Sequence, residues 1–271
     1  MNFSAKEMIE QRKSVRTFDG KLLSDEDRKK LENYIDALAN PFGVPVVFKL
    51  LDAKEHDLSS PVIVGEHTYM TAKVNRVDHF EIGYGYSFEN ACLYALSLGL
   101  GTVMLAASLS RKTFEAAMNL GKDEVLPVAS PVGYPAAKRS MRENMMRKGM
   151  KSDQRMDFGK LFFAGEFGKE LSVEEARDFF EALEMARLAP SATNRQPWRA
   201  VVDDNKVHFF EAKTLKDSGI GDVQKIDVGI ALCHFDLVMK ENGSSGQFVF
   251  DNPGLELPEN VFYVTTYERK L

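Results

Sequence analysis

The chain repeats itself, and that restricts its architecture more than any other feature. "GKLLSDEDRKKLENYIDALANP" from Gly20 and "GKELSVEEARDFFEALEMARLAP" from Gly168 both read G-K-x-L-S followed by a helical pattern. A second pair begins at His79 ("HFEIGYGYSFENACLYALSLGLGTVML") and Lys225 ("KIDVGIALCHFDLVMKENGSSGQFVF"). It sets Gly83 on Gly229 and Val103 on Val249, about 146 residues apart each time. One such pair is equally well explained by two amphipathic helices looking alike. Two pairs in the same order, each with flanking glycines and strand-like ends, argue for two diverged copies of one supersecondary unit. The copies are placed at 1–150 and 151–271, meeting near "KSDQRMDFG", and both are of ordinary domain size. Such a fusion is a homodimer written on one chain, with a pseudo-two-fold axis and a functional site expected between copies.

Within each copy, helices are predicted at 4–12, 25–39 and 82–98, with counterparts after Ser172 and Lys225. Ser24 and Ser172 are natural N-caps, and Ser172 with Glu175 forms an S-x-x-E box; Asp27 holds the acidic position in the first copy. Strands are predicted at 44–51, 61–67, 102–107, 126–134, 199–204, 206–212 and 259–268, with a hairpin turning at Asp204–Asn205. Antiparallel pairs interleaved with helices define an α+β fold.

Composition narrows the function. A formal charge of −5 with both signs interspersed argues against nucleic acid or an anionic membrane as the main partner. No apolar run approaches a membrane span. The charged start "MNFSAKEMIEQRKS" is unlike a signal peptide, so a cytoplasmic setting is expected. Cys92 and Cys233 sit in apolar helical patterns without C-x-x-C spacing and read as buried, inert thiols. The five histidines lack H-x-x-x-H spacing, and no metal site is expected.

The copies differ most where a ligand site belongs. Aligned on the shared G-K, Arg12, Ser14 and Arg16 of the first copy stand opposite Lys160, Phe162 and Ala164 of the second. Two guanidiniums and a hydroxyl within five residues suit a phosphate, although a basic cluster of this size, taken alone, is more often a solvated face. In the second copy "LAPSATNRQPW" replaces the shorter "LANPFGVP". There Pro190 ends a helix, Ser191 and Thr193 can turn the backbone, and Asn194 and Gln196 carry amides suited to the edge of a flat heterocycle. Trp198, before a strand, reads as core.

Taken together, "RKSVRTFD" (12–19), "APSATNRQPW" (189–198), "NACLYALSLGLGTVML" (90–105) and "PVGYP" (131–135) before a basic run resemble the FMN-dependent nitroreductase family over most of the chain. The resemblance implies a nitroreductase-like α+β fold in which two intertwined copies bind FMN. Arg12, Lys13, Ser14 and Arg16 would hold its phosphate and ribityl end, and Pro190, Ser191, Asn194 and Gln196 would line its other side. Backbone at Leu105, Ala106 and Ala107 would lie near N5 and O4, although "MLAAS" replaces the family's glycine pair. A late basic residue is expected on the phosphate, assigned to Arg155 with Lys151 in preference to Lys138 and Arg139. Family members carry both motifs on every subunit, whereas here each copy keeps one, so one FMN per chain is expected.

The implied activity is ping-pong hydride transfer from NADH or NADPH through flavin N5 to a small organic acceptor such as a nitroaromatic or quinone. The flavin carries that chemistry, so no catalytic side chain is assigned; Lys13 or Arg195 could stabilise reduced flavin near N1 and O2. The fused form implies a monomer. Two alternatives stand beside this reading. "GYGYSF" and "GLGT" do not make the G-x-G-x-x-G of a dinucleotide-binding dehydrogenase. A non-catalytic flavin-binding or sensor protein of the same fold stays open, because fold does not fix function.

Overall fold

The computed structural model describes residues 3–270. Its helices are α1 (Ala5–Gln11), α2 (Asp25–Asp36), α3 (Phe80–Ser97), α4 (Arg111–Ala117), α5 (Met141–Gly149), α6 (Val173–Ala176), α7 (Phe180–Arg187) and α8 (Val223–Glu241). Its strands are β1 (Val46–Asp52), β2 (Thr68–Asn75), β3 (Gly101–Thr102), β4 (Glu124–Val125), β5 (Ala129–Gly133), β6 (Phe162–Ala164), β7 (Trp198–Asp203), β8 (Lys206–Ala212), β9 (Gly246–Val249) and β10 (Val261–Arg269). The fold is α+β, as the sequence patterns require.

Two compact units emerge. One comprises Gln11–Phe80 and Ser87–Ser152; the other comprises the N-terminal stretch through Glu10, Glu81–Tyr86 and Asp153–Leu271. The first unit holds a five-stranded sheet in the order β1-β2-β5-β3, with β4 also on β2, all pairings antiparallel. Under it, Leu51, Leu58, Tyr69, Phe114, Met118, Leu126 and Ala129 form one buried cluster. The second unit holds the sheet β6-β7-β8-β10-β9, in which β6 runs parallel to β7 and the remaining pairs are antiparallel. The expected hairpin is β7–β8, and Asp204 takes the left-handed conformation (φ 49°) that its tight turn requires.

The two G-K-x-L-S segments open helices in the same way. Ser24 Oγ accepts from the Asp27 amide at 3.1 Å, while Ser172 and Glu175 exchange the two bonds of a full capping box, each 3.2 Å. The second helix then breaks at Arg177 (φ 48°) into α6, a 3-10 turn and α7.

In α8, Ile226 through Met239 are buried without interruption, so this helix is enclosed on all sides where the sequence suggested one apolar face. Its buried polar groups are accordingly satisfied. His234 Nδ1 meets the Met185 carbonyl at 3.0 Å, and Asp236 accepts from Tyr86 at 2.5 Å and Lys240 at 2.7 Å.

The first turns of α3 press against α8 backbone to backbone. A Cβ on Gly85 would stand 2.1 Å from the Ile226 carbonyl oxygen, and one on Gly229 would stand 2.4 Å from that of Ile82. Each glycine meets the residue three before the other glycine, the reciprocity of a self-complementary two-fold contact. The glycine that meets α8 as Gly229 meets α3 is thus Gly85, two residues beyond the Gly83 of the sequence pairing.

Strand positions differ from the sequence reading in the first copy. Residues 61–67 form no strand but only an isolated bridge from Val64 to Thr17, with the strand following at Thr68–Asn75; 102–107 shortens to β3, after which only Leu105 returns to pair with Ala129. The first pattern, "PVIVGEH", carries a strand-like β-branched run but also Gly65 at φ 80°, held against the Phe18 carbonyl where a Cβ would lie 2.5 Å from its oxygen.

Candidate functional site

Residues 12–18 form an extended segment stitched on both sides. Val15 donates to the Thr102 carbonyl at 2.9 Å, Val64 to that of Arg16 at 3.0 Å, Phe18 to that of Val64 at 2.8 Å, and Ala136 to that of Thr17 at 3.0 Å. Val15 and Phe18 are buried with Ile63, Val103 and Leu105. This fixes the basic motif on a rigid base, as a preorganised anion site demands.

The motif's cations have different environments. Arg12 is paired: its Nε lies 2.7 Å from Glu89 Oε1, with both side chains buried. Arg16 is 8% exposed, and its Nε and Nη1 are buried with no hydrogen-bond partner. Burial lowers its pKa, and the field of Glu143 works against that shift while Arg147 and Arg12 add to it. A buried guanidinium with orphaned donors is costly unless an anion completes it. That fits the phosphate expected here.

Lys13, Ser14, Val15 and Thr17 line a cleft of about 470 Å³, together with Pro135–Arg139, Glu143 and Asn144. The late basic residues brought to the motif are therefore Lys138 and Arg139, and Lys151 and Arg155 do not line this cleft. Arg155 belongs to the other unit, where Nε and Nη2 donate to the Leu188 carbonyl at 3.2 and 3.1 Å and cap the end of α7. Lys151 is exposed at φ 49° just past α5.

The turn after β3 is also explicit. Leu105 exchanges both backbone hydrogen bonds with Ala129, at 2.8 and 3.1 Å, so its amide is committed within the sheet. Arg111 donates to the Ala106 carbonyl at 2.8 Å and to Leu126 at 2.6 Å, pinning that turn. The sequence reading passed over Arg111.

In the other unit the 190–196 loop is wound tightly. Thr193, Asn194 and Gln196 all have positive φ (49°, 58° and 51°), an uncommon strain for non-glycine residues that surrounding bonds must hold. The expected amides do the holding. Gln196 Oε1 accepts from the Met156 amide at 2.8 Å, and Asn194 Nδ2 donates to the Gln154 carbonyl at 3.0 Å. Ser191 Oγ accepts from the Gln196 amide at 2.8 Å. Pro190 is half-buried at the end of α7, and Trp198 is core, as expected.

Asp227 of α8, which no sequence signal marked, accepts from the Ala192 amide at 3.0 Å. Its complete burial pushes its pKa well up, and Asp222 and Glu211 reinforce the shift. Glu143 was missed too, because helix α5 was missed; the S-x-x-E box Ser140–Glu143 was its available signal.

Cys92 and Cys233 are buried and not joined in a disulfide, and burial pushes the Cys92 thiol up to about 12, which makes it unreactive. Among the described residues no cluster of metal-ligating side chains occurs, and no helix is long and apolar enough to cross a membrane.

An α+β fold with a basic extended segment after its first helix and a wound polar loop before β7 is that of the nitroreductases. The chain matches the family model described as "Putative TM nitroreductase" over residues 4–239 and belongs to this family of oxidoreductases. Among solved structures it is similar to a "putative nitroreductase" from Thermotoga maritima, with 22% identity, TM-score 0.65, and coverage of 99% of this chain and 94% of that one. A "Putative NADH dehydrogenase/NAD(P)H nitroreductase" from Bacteroides thetaiotaomicron shares 22% identity at TM-score 0.43, covering 52% of this chain and 91% of its own. An "FMN-dependent Nitroreductase" from Clostridium difficile shares 13% at TM-score 0.41, covering 52% and 94%. No curated protein matches the chain.

Proposed function

We propose that the protein is an FMN-dependent NAD(P)H oxidoreductase acting on a small organic acceptor, with one FMN per chain. The observation that carries this reading is the buried Arg16 guanidinium with two orphaned nitrogens. Close to it in sequence, Lys13 and Ser14 line a cleft with Lys138 and Arg139. Lys13, Ser14, Arg16, Lys138 and Arg139 would hold the phosphate, and Arg12, fixed by Glu89, the ribityl end. When bound, FMN would supply the redox chemistry, ping-pong hydride transfer through N5 between NADH or NADPH and a nitroaromatic, quinone or similar acceptor.

The chain's own contribution is binding and orientation. Ala106 and Ala107 are the backbone positions proposed near the flavin N5 and O4, since the Leu105 amide is already committed. Pro190 and Ser191 are proposed to line the flavin, with Asn194 and Gln196 holding the loop in shape. Lys13 or Arg195 would supply positive charge to the reduced ring. The division of the two motifs between the copies, together with the reciprocal glycine contact of α3 and α8, supports an ancestral tandem duplication. A monomer and a cytoplasmic setting belong to the same reading.

Purified protein tests it. Bound flavin should bleach when NADH or NADPH is added without oxygen. Bound flavin that neither donor bleaches would instead establish a non-catalytic flavin-binding protein.

A further inference from the structure

The cationic cleft contains one anion. Glu143, in the first turn of α5, is only 2% exposed and lines the cleft beside Lys13, Ser14, Lys138 and Arg139. Its position is built rather than incidental. Ser140 Oγ caps α5 by accepting from the Glu143 amide at 3.1 Å, and the Ser140 amide donates to Thr17 Oγ1 at 3.1 Å. Thr17 Oγ1 in turn donates to Glu143 Oε2 at 2.8 Å, while Arg139 Nε stands 3.7 Å from Oε1. Helix α5 is thereby latched to the basic motif through its carboxylate. The same carboxylate opposes the loss of charge on Arg16.

A helix cap needs no buried carboxylate, and a cleft meant only to attract phosphate gains nothing from one. Its charge serves the guanidinium and repels any dianion that shares the cleft. We infer that Glu143 is a built-in counter-ion of the phosphate cradle: it balances Arg16 in the free protein and opposes an entering phosphate. FMN is consequently held exchangeably rather than locked in place. This inference rests on the reading that the cleft receives the FMN phosphate.

Glu143→Gln keeps the size and the hydrogen bond from Thr17 but removes the charge. Titration by flavin fluorescence should show FMN binding about tenfold or more tighter than in the parent, the scale of one unit charge against a phosphate at a partly buried site. Riboflavin, which lacks the phosphate, should bind the two proteins equally. In thermal unfolding, inorganic phosphate should raise the Tm of the variant more than that of the parent, whichever starts higher. A purely structural role would move the starting Tm and leave the phosphate increment unchanged. Glu143→Met removes the charge at similar volume and gives the same readout if Gln impairs folding.

Equal FMN affinity with equal phosphate increments, or weaker FMN binding by the variants, would overturn the inference. If parent and variants alike fail to bind FMN and to respond to phosphate, the cofactor reading itself fails, and the counter-ion role with it.

Discussion

Arg16 concentrates the functional argument at the scale of single residues. Its orphaned nitrogens predict that Arg16→Gln weakens FMN binding by about tenfold or more, the usual worth of a hydrogen bond to a charged group, while riboflavin binding is unchanged. Fluorescence titration of both flavins checks this; equal losses for both would contradict a phosphate contact. In the second copy, Lys160→Gln is the suitable control, because Lys160 is exposed and pairs with Asp157 three residues away. Phe162, its neighbour in the sequence alignment, is wholly buried and would report on folding instead. A separate expectation concerns Glu211, which burial and the neighbouring Asp222 raise to about 7 from 4.5. The folded protein then holds a proton that the unfolded chain has already lost, so this group's stabilisation is complete below about 4.5 and is lost as pH rises through about 7. Glu211→Gln should therefore gain in Tm relative to the parent on going from about pH 5 to about pH 8; a difference independent of pH would contradict it. Arg12, Ser14 and Arg16 stood out in the sequence only together with the 189–198 loop, because a short basic cluster alone also suits a solvated face. Asp227 did not, since a carboxylate inside an apolar helical run announces no partner until the Ala192 amide is beside it.

Elements were readable where one pattern dominated. The β7–β8 hairpin, β10, and helices α2, α3 and α8 follow from strong periodicity, caps and turns. Shorter pieces were not: β3 and β4 have two residues each, and α5 is a polar, methionine-rich stretch with Met141 and Met145 exposed, so its helical period carries no apolar face. The placing of Lys138 and Arg139 was hidden for the same reason. With α5 unseen, nothing in the sequence tied them to the cleft of Lys13 and Ser14, and nothing marked Arg155 as a donor to the Leu188 carbonyl. The contact of α3 with α8 supplies the prediction at this scale. Gly85→Ala and Gly229→Ala each force a Cβ onto a carbonyl, and overpacking of that kind typically costs about 1–3 kcal/mol. Chemical denaturation should show comparable losses for the two, because the contacts are reciprocal. A loss at one position only would contradict the two-fold relation.

For the whole molecule, the chain forms two compact units with different equipment. One carries the basic motif and its cleft; the other carries the wound 190–196 loop. The α+β class and the nitroreductase family followed from motifs spread over most of the chain, whereas the exchange of the N-terminal stretch and Glu81–Tyr86 into the other unit left no local trace, because such exchange is decided by packing and not by propensity. The measurement that bears most directly on a single site is the flavin content of the purified protein, saturated with FMN, desalted, and read as released flavin absorbance against protein concentration. One FMN per chain is the expected result. Two per chain would show that both copies retained a site, and none would remove the cofactor reading altogether.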